Sequence, residues 1–150
     1  MAKRFRRIMY ATDYSRASAR ALDEAVNLAK QNDAELLVLH VMDPVTPYVT
    51  GEDYGTAELY LKLEETTKQE AQTSMQKLVE KLRKYKVKVK SLLLKGSPHD
   101  QIVKAAKSRK ADMIVIGTHG RTGLTKLFMG SVAGKVIATA SCPVLTVRGK

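Results

Sequence analysis

Residues 112–131 read DMIVIGTHGRTGLTKLFMGS, and this stretch decides the fold class. Its first residues form a short apolar run, which is typical of a buried strand, and a helical pattern starts at Ser131. The glycine-rich run between them lets backbone N–H groups converge on an anion, because glycine accepts positive φ and close approach. The N-terminus of the following helix also favours phosphate. The stretch therefore predicts a strand, a phosphate-binding loop and a helix; a long turn without a ligand is the alternative.

Strand-like and helix-like patterns alternate along the rest of the chain. Strands are predicted at residues 8–11, 34–42, 86–90, 112–116 and 143–147. Helices are predicted between the Ser15 cap and the Asn32-Asp33 turn, along the apolar stripe of residues 59–82, after the Ser97 cap and Pro98, and from Ser131 to about residue 140. This alternation predicts an α/β fold, a parallel sheet with helices on both faces. A chain of 150 residues suits one domain, which we take as residues 1–150.

The third predicted strand has the pattern of a sheet edge. Lys86, Lys88 and Lys90 alternate there with Val87 and Val89. Lysine at every second position discourages unwanted pairing of an exposed edge. We therefore expect this strand at the rim of the sheet.

The glycine spacing resembles that of a known family. Gly117-x-x-Gly120, nine residues, then Gly130-Ser131 fits the G-2x-G-9x-G-[S/T] motif of the ATP-binding subgroup of the universal stress proteins, and it is neither a Walker A loop nor a G-x-G-x-x-G fingerprint. Further similar segments are residues 12–15, 38–41, 96–98, 112–117 and 141–145. The resemblance implies a single-domain open parallel five-stranded sheet of order 3-2-1-4-5, Rossmann-like and similar to the adenine nucleotide alpha hydrolases.

The resemblance also implies a nucleotide site. In the family, the position of Asp13 meets the adenosine end, and that of Val41 offers backbone groups to adenine. Ala11 stands where some relatives have a proline. The alternative role for Asp13 is to cap the first helix. The implied nucleotide-binding residues are Ala11, Thr12, Asp13, Val41, Ile116, Gly117, Thr118, His119, Gly120, Arg121, Thr122, Gly123, Gly130, Ser131, Val132 and Ala133.

The function implied by the resemblance is that of a regulatory module in the stress response. It would bind ATP with Mg or Mn and act as a homodimer through the C-terminal strand, with Val144, Leu145 and Val147 in the contact. ADP, AMP or a cyclic nucleotide are alternative ligands. We expect no enzyme, because no residue stands out as a base that orients a water for phosphoryl transfer. A slow ATPase is the alternative.

The charge balance raises a second kind of partner. The chain has 26 basic and 15 acidic residues, a formal net charge of +11. Such a charge attracts polyanions, so nucleic acid or an acidic membrane surface are candidates. The basic residues are spread over the N-terminus, residues 77–95 and residues 104–110, and aromatic residues for base stacking are sparse. A solvated basic surface is therefore favoured over a nucleic-acid site, which stays as the alternative.

Cysteine and histidine usage indicates the compartment and argues against a metal site. The single cysteine, Cys142, allows no internal disulfide, reads as a small buried hydrophobe and suits a reducing compartment. No apolar run is long enough to span a membrane, and no signal-peptide stretch follows the N-terminus. We expect a cytoplasmic protein without a membrane contact. His40, His99 and His119 are too widely spaced for a metal set, and His40 is predicted to pack within its strand.

Overall fold

A five-stranded parallel sheet runs through the computed structural model, which describes residues 5–43, 56–118 and 130–149. The elements are β1 (Arg7–Ala11), α1 (Arg16–Asn32), β2 (Glu35–Met42), α2 (Thr56–Arg83), β3 (Val89–Lys95), α3 (Pro98–Ser108), β4 (Met113–Gly117), α4 (Ser131–Thr139) and β5 (Val144–Val147). The strand order is β3-β2-β1-β4-β5. The predicted order 3-2-1-4-5 is confirmed.

The central strands are buried on both faces. Ile8 and Tyr10 of β1 pack with α1 and α2, whereas Met9 and Ala11 of the same strand pack with α3 and α4. This is why the strands read as continuous apolar runs rather than as an alternation of apolar and polar residues. The predicted helices on both faces are therefore confirmed.

The first helix follows the prediction at both ends. Ser15 is its N-cap, and the side chain accepts a hydrogen bond from the backbone N–H of Ser18. Asp33 ends it in the left-handed region at φ 52°, with the cap N–H bonded to carbonyl groups of the last turn. Ala21, Leu22 and other small or apolar residues face the sheet. Small side chains let the helix lie close to β1 and β4.

The third strand lies at the sheet edge as predicted, but it begins later than the lysine pattern indicates. Lys86 takes a left-handed φ of 58° and reverses the chain after α2. Pairing with β2 then starts at Val89, which lies opposite Leu36, and continues to Lys95. The predicted position of the α3 cap at Ser97 is confirmed, with Pro98 in the first turn. Ser97 stands at the N-cap of α3, but its hydroxyl makes no cap bond and instead lies 3.2 Å from Nδ1 of His99.

The long helix α2 covers the sheet with its C-terminal half. Ala71, Met75 and Leu82 are buried, whereas Leu59 and Leu63 of the predicted stripe are 58% and 49% exposed. The predicted stripe of residues 59–82 is therefore too long as a core-facing surface. Within the described ranges, no helix combines the length and the apolar character that a membrane crossing needs.

The order of the strands creates a crevice between β1 and β4. These strands are neighbours, and Ala11 lies opposite Ile116 in their register. After β1 the chain turns to the face that carries α1, and α4, which follows β4 in sequence, packs on the opposite face. In open α/β sheets, ligands bind at such a switch point, beyond the carboxyl ends of the strands. The fold thus places Thr12 and Thr118 at the mouth of this crevice.

Leu82 and Leu61 lie on the same helix and provide a matched test of its packing. Leu82 is fully buried and Leu61 is 63% exposed. The Leu82→Ala variant should lose about 2–5 kcal/mol of unfolding free energy, since it leaves a cavity in the core. The Leu61→Ala variant should change it by less than about 0.5 kcal/mol. Urea titrations followed by circular dichroism measure both values, and equal losses would contradict the packing of α2.

Candidate functional site

A cavity of about 490 Å³ opens at the carboxyl ends of β1, β2 and β4. Its size lies within the roughly 300–1,000 Å³ that is usual for small-molecule sites. It is lined by every predicted site residue that the structure describes: Ala11, Thr12, Asp13, Val41, Ile116, Gly117, Thr118, Gly130, Ser131, Val132 and Ala133. The predicted residues His119, Gly120, Arg121, Thr122 and Gly123 lie outside the described residues. The nucleotide-binding role of the whole set stays a prediction.

The turn after β1 is held together by the Asp13 carboxylate. Its Oδ1 accepts hydrogen bonds from the backbone N–H of Ser15 and from the Ser18 hydroxyl, both at 2.9 Å. The Asp13 N–H in turn donates to the Ser18 oxygen at 3.1 Å. Since Ser15 is the cap of α1, Asp13 shapes the turn rather than capping the helix. The carboxylate is thereby fixed at the edge of the cavity.

Two aromatic rings that sequence reasoning did not assign to the site form part of the cavity wall. Tyr14 and His40 lie with their ring centroids 4.5 Å apart and their planes tilted by 40°. Nδ1 of His40 lies 2.7 Å from the Thr12 carbonyl oxygen, and a carbonyl only accepts, so this nitrogen is the donor. Tyr14 has a left-handed φ of 63°, which its N–H bond to the Thr12 hydroxyl supports. His40 is thus half-buried and faces the site instead of packing only within its strand.

The side of the cavity beyond β4 offers hydrogen-bond groups for an anion. The Thr118 hydroxyl is buried and has no hydrogen-bond partner within residues 5–43, 56–118 and 130–149. The Gly130 N–H donates to the Thr118 carbonyl at 2.5 Å, which sets the start of α4 against the end of β4. Gly130 is the N-cap of α4 and makes no side-chain cap bond. The first N–H groups of a helix without such a cap can bind an anion.

Helix α2 closes the cavity from the other face of the sheet. Thr67, Glu70, Ala71 and Ser74 of this helix line it, next to Asp43 after β2. The helical periodicity of α2 indicated only a core-facing stripe, which includes Ala71, so the polar residues Thr67, Glu70 and Ser74 were missed. Their spacing of three or four residues places them on one face, and that is the signal which could have identified them.

Buried groups near the site have shifted pKa values with structural causes. Burial raises the pKa of Tyr10 to about 12, and its hydroxyl donates to the Ser18 carbonyl at 2.5 Å. Tyr10 therefore stays neutral and supports the start of α1 beneath the Asp13 turn.

Burial also raises the pKa of the Cys142 thiol, with Asp112 as a second cause. Cys142 is half-buried rather than fully buried, and a raised pKa makes it a poor nucleophile. Among the described residues, no cluster of His, Cys, Asp or Glu could hold a metal ion.

Gly117 is needed for the packing of α1 against β4. A Cβ at this position would lie 2.9 Å from the backbone carbon of Ala17, and a Cβ at Gly149 would lie 3.1 Å from the Ala17 side chain. The first turn of α1 thus approaches the ends of β4 and the C-terminal segment closely. The sequence predicted that a ligand would approach the glycine at position 117. In the structure, the backbone of Ala17 approaches it.

The fold and the crevice define a doubly wound α/β protein with a small-molecule-sized site at its switch point. The model of the universal stress protein family matches residues 4–148, and the chain belongs to that family. Universal stress protein MJ0531 of Methanocaldococcus jannaschii is 40% identical over 144 residues, which cover 96% of this chain and 82% of the relative. The solved structure of protein MJ0577 from the same organism is 31% identical, covers 99% of each chain and superposes with a TM-score of 0.84.

A more distant structure with the same fold was determined with AMP bound. This universal stress protein family protein of Arabidopsis thaliana is 24% identical, covers 97% of this chain and 92% of its own, and superposes with a TM-score of 0.68. A likeness at this level of identity concerns the fold.

Gly117 and Gly134 provide a matched test of the packing around the crevice. Gly117→Ala should lower the free energy of unfolding by about 1–3 kcal/mol, since its methyl group overlaps the α1 backbone. Gly134 lies within α4, and no described atom lies within 4 Å of a Cβ there. Gly134→Ala should therefore raise the free energy of unfolding by about 0.5–1 kcal/mol through its better helix propensity. Thermal and urea unfolding measure both changes. A tolerated Gly117→Ala variant would contradict the close approach of α1.

Proposed function

We propose that this chain is an ATP-binding regulatory module of the stress response and that the nucleotide occupies the switch-point cavity. The observation that carries the proposal is the placement of two binding edges around one cavity. The Asp13 turn lies on one side of it, and the N-terminus of α4 lies on the other, beside the Thr118 hydroxyl, which has no partner among the described residues. Membership of the universal stress proteins supports a role in the stress response.

The α4 side fits phosphate groups. Gly130 and Ser131 stand at the start of this helix, where the positive end of the helix dipole and free N–H groups stabilise negative charge. The Ser131 hydroxyl and the buried Thr118 hydroxyl supply two further donors at the same edge. These residues would hold the phosphates, together with the predicted glycine-rich run.

The β1 and β2 side fits the nucleoside. Asp13 would accept from the ribose hydroxyls, and Val41 would present backbone groups to the adenine base. Tyr14 and His40 supply a tilted pair of rings in the same wall, which suits a flat heteroaromatic group. The Arabidopsis protein with AMP bound shares the fold, and this agrees with a nucleotide in this crevice.

The cation would enter with the phosphates. Mg²⁺ keeps several waters and is usually held by phosphate oxygens with one or two carboxylates rather than by a protein cage. Mn²⁺ accepts the same oxygen ligands. A site without a metal cluster among its described residues fits this mode of binding.

We propose binding without efficient turnover. Hydrolysis needs a group that orients a water at the terminal phosphate. The Asp13 Oδ1 is already bonded to Ser15 and Ser18 within its turn. Glu70 belongs to α2, which packs on the opposite face of the sheet from α4. We therefore propose that neither carboxylate acts on a phosphate at the start of α4.

Calorimetric titration tests nucleotide binding, with Asp13 and Asp23 as a matched pair. Asp23 is exposed on α1 and lies outside the cavity. Asp13→Ala should weaken ATP binding roughly 10- to 100-fold, because it removes a charged hydrogen-bond acceptor. Asp23→Ala should leave the affinity unchanged. A folded protein that binds no ATP at millimolar concentration would refute the proposal, and tighter binding of ADP, AMP or cyclic AMP would reassign the ligand. Sustained multiple turnovers of ATP that disappear in the Ser131→Ala variant would favour the slow ATPase.

We further propose that the protein is a homodimer joined through β5. Among the described strands, β5 pairs with β4 alone, so it forms an edge of the described sheet. Its Val144, Leu145 and Val147 are all half-buried and uncharged, which suits pairing with a second copy.

The single cysteine fits a reducing compartment, and we place the protein in the cytoplasm.

Light scattering after size-exclusion chromatography tests the dimer. The wild-type protein should give twice the 16.6 kDa mass of the chain. Leu145→Glu should shift the mass toward one chain, because it buries an unpaired charge at the contact. Leu61→Glu places the same charge on an exposed leucine of α2 and should leave the mass unchanged. A wild-type protein that elutes as a single chain at micromolar concentration would contradict the dimer.

A further inference from the structure

One end of the molecule collects most of the positive charge. This is the end at which the strands begin and helices α1, α2 and α3 finish; we call it the cationic end and define it as residues 5–8, 29–36, 80–90 and 105–114. It holds twelve basic residues: Arg6, Arg7, Lys30, Lys81, Arg83, Lys84, Lys86, Lys88, Lys90, Lys107, Arg109 and Lys110. Its acidic residues are the four side chains Asp33, Glu35, Glu80 and Asp112. Most of the formal net charge of +11 therefore lies here.

The fold joins these segments into one surface, although they are far apart in the sequence. The Arg6 carbonyl accepts a hydrogen bond from the N–H of Glu35 at 2.9 Å, and the Arg7 carbonyl accepts one from Asp112 at 2.7 Å. The Lys88 carbonyl accepts a hydrogen bond from the backbone N–H of Leu36 in β2 at 2.8 Å. The basic residues that appear scattered along the chain are thus neighbours in space.

Two of the acidic residues of this surface are engaged within it. Glu35 forms ion pairs with Arg7 at 3.2 Å and Lys90 at 3.5 Å. The Asp112 carboxylate accepts from the backbone N–H groups of Arg6 and Arg7. These two carboxylates hold the start of β1 in place. They do not neutralise the lysines in the turns that follow α2 and α3. In the part of the chain that the structure describes, no ion pair involves the lysines of residues 84–88 or 107–110.

Lysine stands at two positions of this surface where glycine would be less strained. Lys86 has φ 58° and Lys110 has φ 55°, and each follows the end of a helix. Glycine is the usual residue at such left-handed positions because a Cβ is unfavourable there. Asp33 takes a left-handed φ of 52° at the corresponding turn after α1, so these positions accept either charge, and at two of the three turns the residue is lysine.

The helix dipole explains only part of the cluster. Cations in the last turn of a helix are stabilised by its negative end, and this accounts for Lys81, Arg83 and Lys107. The effect falls off beyond the last turn. It does not account for Lys86, Lys88 and Lys90, which follow the helix and are all exposed.

We propose that the cationic end binds the phosphate backbone of nucleic acid without reading its base sequence. Eight of the twelve basic residues are lysines, which act as flexible point charges and neutralise phosphates. Base reading relies mainly on bidentate side chains such as arginine and asparagine. The cations extend from the start of β3 to the start of β4, which is three strand spacings or on the order of 14 Å. A repeating polyanion can contact this whole width, whereas a single phosphate cannot.

The composition of this surface distinguishes nucleic acid from other acidic partners. Among the described residues, the exposed large apolar side chain of the cationic end is Tyr85, with Lys30 lying 5.1 Å from its ring centre. A membrane-binding surface adds several inserted apolar side chains to its cations. The core of a protein interface is depleted in lysine. A lysine-rich surface with a single exposed aromatic ring therefore fits nucleic acid best.

The inference does not rest on the proposed nucleotide site. The cavity lies at the carboxyl ends of the strands and the cationic end at their amino ends. Along β1, Arg7 of the cationic end and Ala11 of the cavity are four residues apart, about 13 Å of extended chain. Variants of one site can therefore be tested without disturbing the other.

Fluorescence anisotropy with a labelled 20-base-pair duplex and a single strand of equal length tests the proposal between 50 and 200 mM salt. Binding should weaken steeply with salt. Lys86→Gln with Lys110→Gln should weaken it several-fold and reduce the salt slope by about 1.5–2 for the duplex. Lys62→Gln with Lys68→Gln removes the same charge from exposed positions outside the cationic end and should have little effect.

A second variant separates binding from stability. Lys86→Gly with Lys110→Gly removes both charges and relieves both left-handed positions, so the melting temperature should rise while nucleic-acid binding falls. No binding at 50 mM salt would overturn the proposal. An equal loss in the control pair would also overturn it, because net charge alone would then explain the binding. Binding to vesicles that contain anionic lipid, without binding to either nucleic acid, would assign the surface to membranes instead.

Discussion

The contact between the first turn of α1 and the ends of β4 and the C-terminal segment is the constraint on which the site depends. Ala17 lies there against Gly117 and Gly149, and a Cβ at these glycines would lie 2.9 Å and 3.1 Å from its atoms, closer than van der Waals contact. The first turn of α1 cannot move away without opening the core. The Asp13 turn, which directly precedes α1, is therefore held in place relative to the sheet. This backbone contact therefore fixes the edge of the cavity at which Asp13 lies.

The hydrogen bonds around this contact form a connected set. Tyr10 reaches from the buried strand to the Ser18 carbonyl, and the Ser18 hydroxyl is bonded to Asp13. His40 connects β2 to the same turn through the Thr12 carbonyl. The carboxylate at the cavity edge is thus oriented by groups from two strands and a helix, and such orientation lowers the entropy cost of binding a ligand.

Most of the fold could be predicted from local sequence patterns. The candidate site could be predicted only in part. Apolar runs and helical stripes identified the nine elements, and the resemblance supplied the strand order that pairing confirms. Local patterns misplaced the start of β3, because the left-handed turn at Lys86 and the register with β2 decide it. They also missed Tyr14 and His40, whose roles arise only when β1 and β2 lie side by side. The same limitation hid the cationic end, since its segments meet only in the folded sheet.

The two edges of the sheet differ in a way that limits how the protein can assemble. Within the described residues, β3 carries Lys90 and Lys95 on one edge, whereas β5 on the other edge has the uncharged sequence Val-Leu-Thr-Val. Charged edges resist the addition of another strand, and neutral ones accept it. A sheet that accepts a neighbour on one side alone can be extended once by a second copy and then ends in lysine on both sides. In the proposed dimer, the lysines of β3 would therefore oppose growth of the sheet into an open-ended fibre.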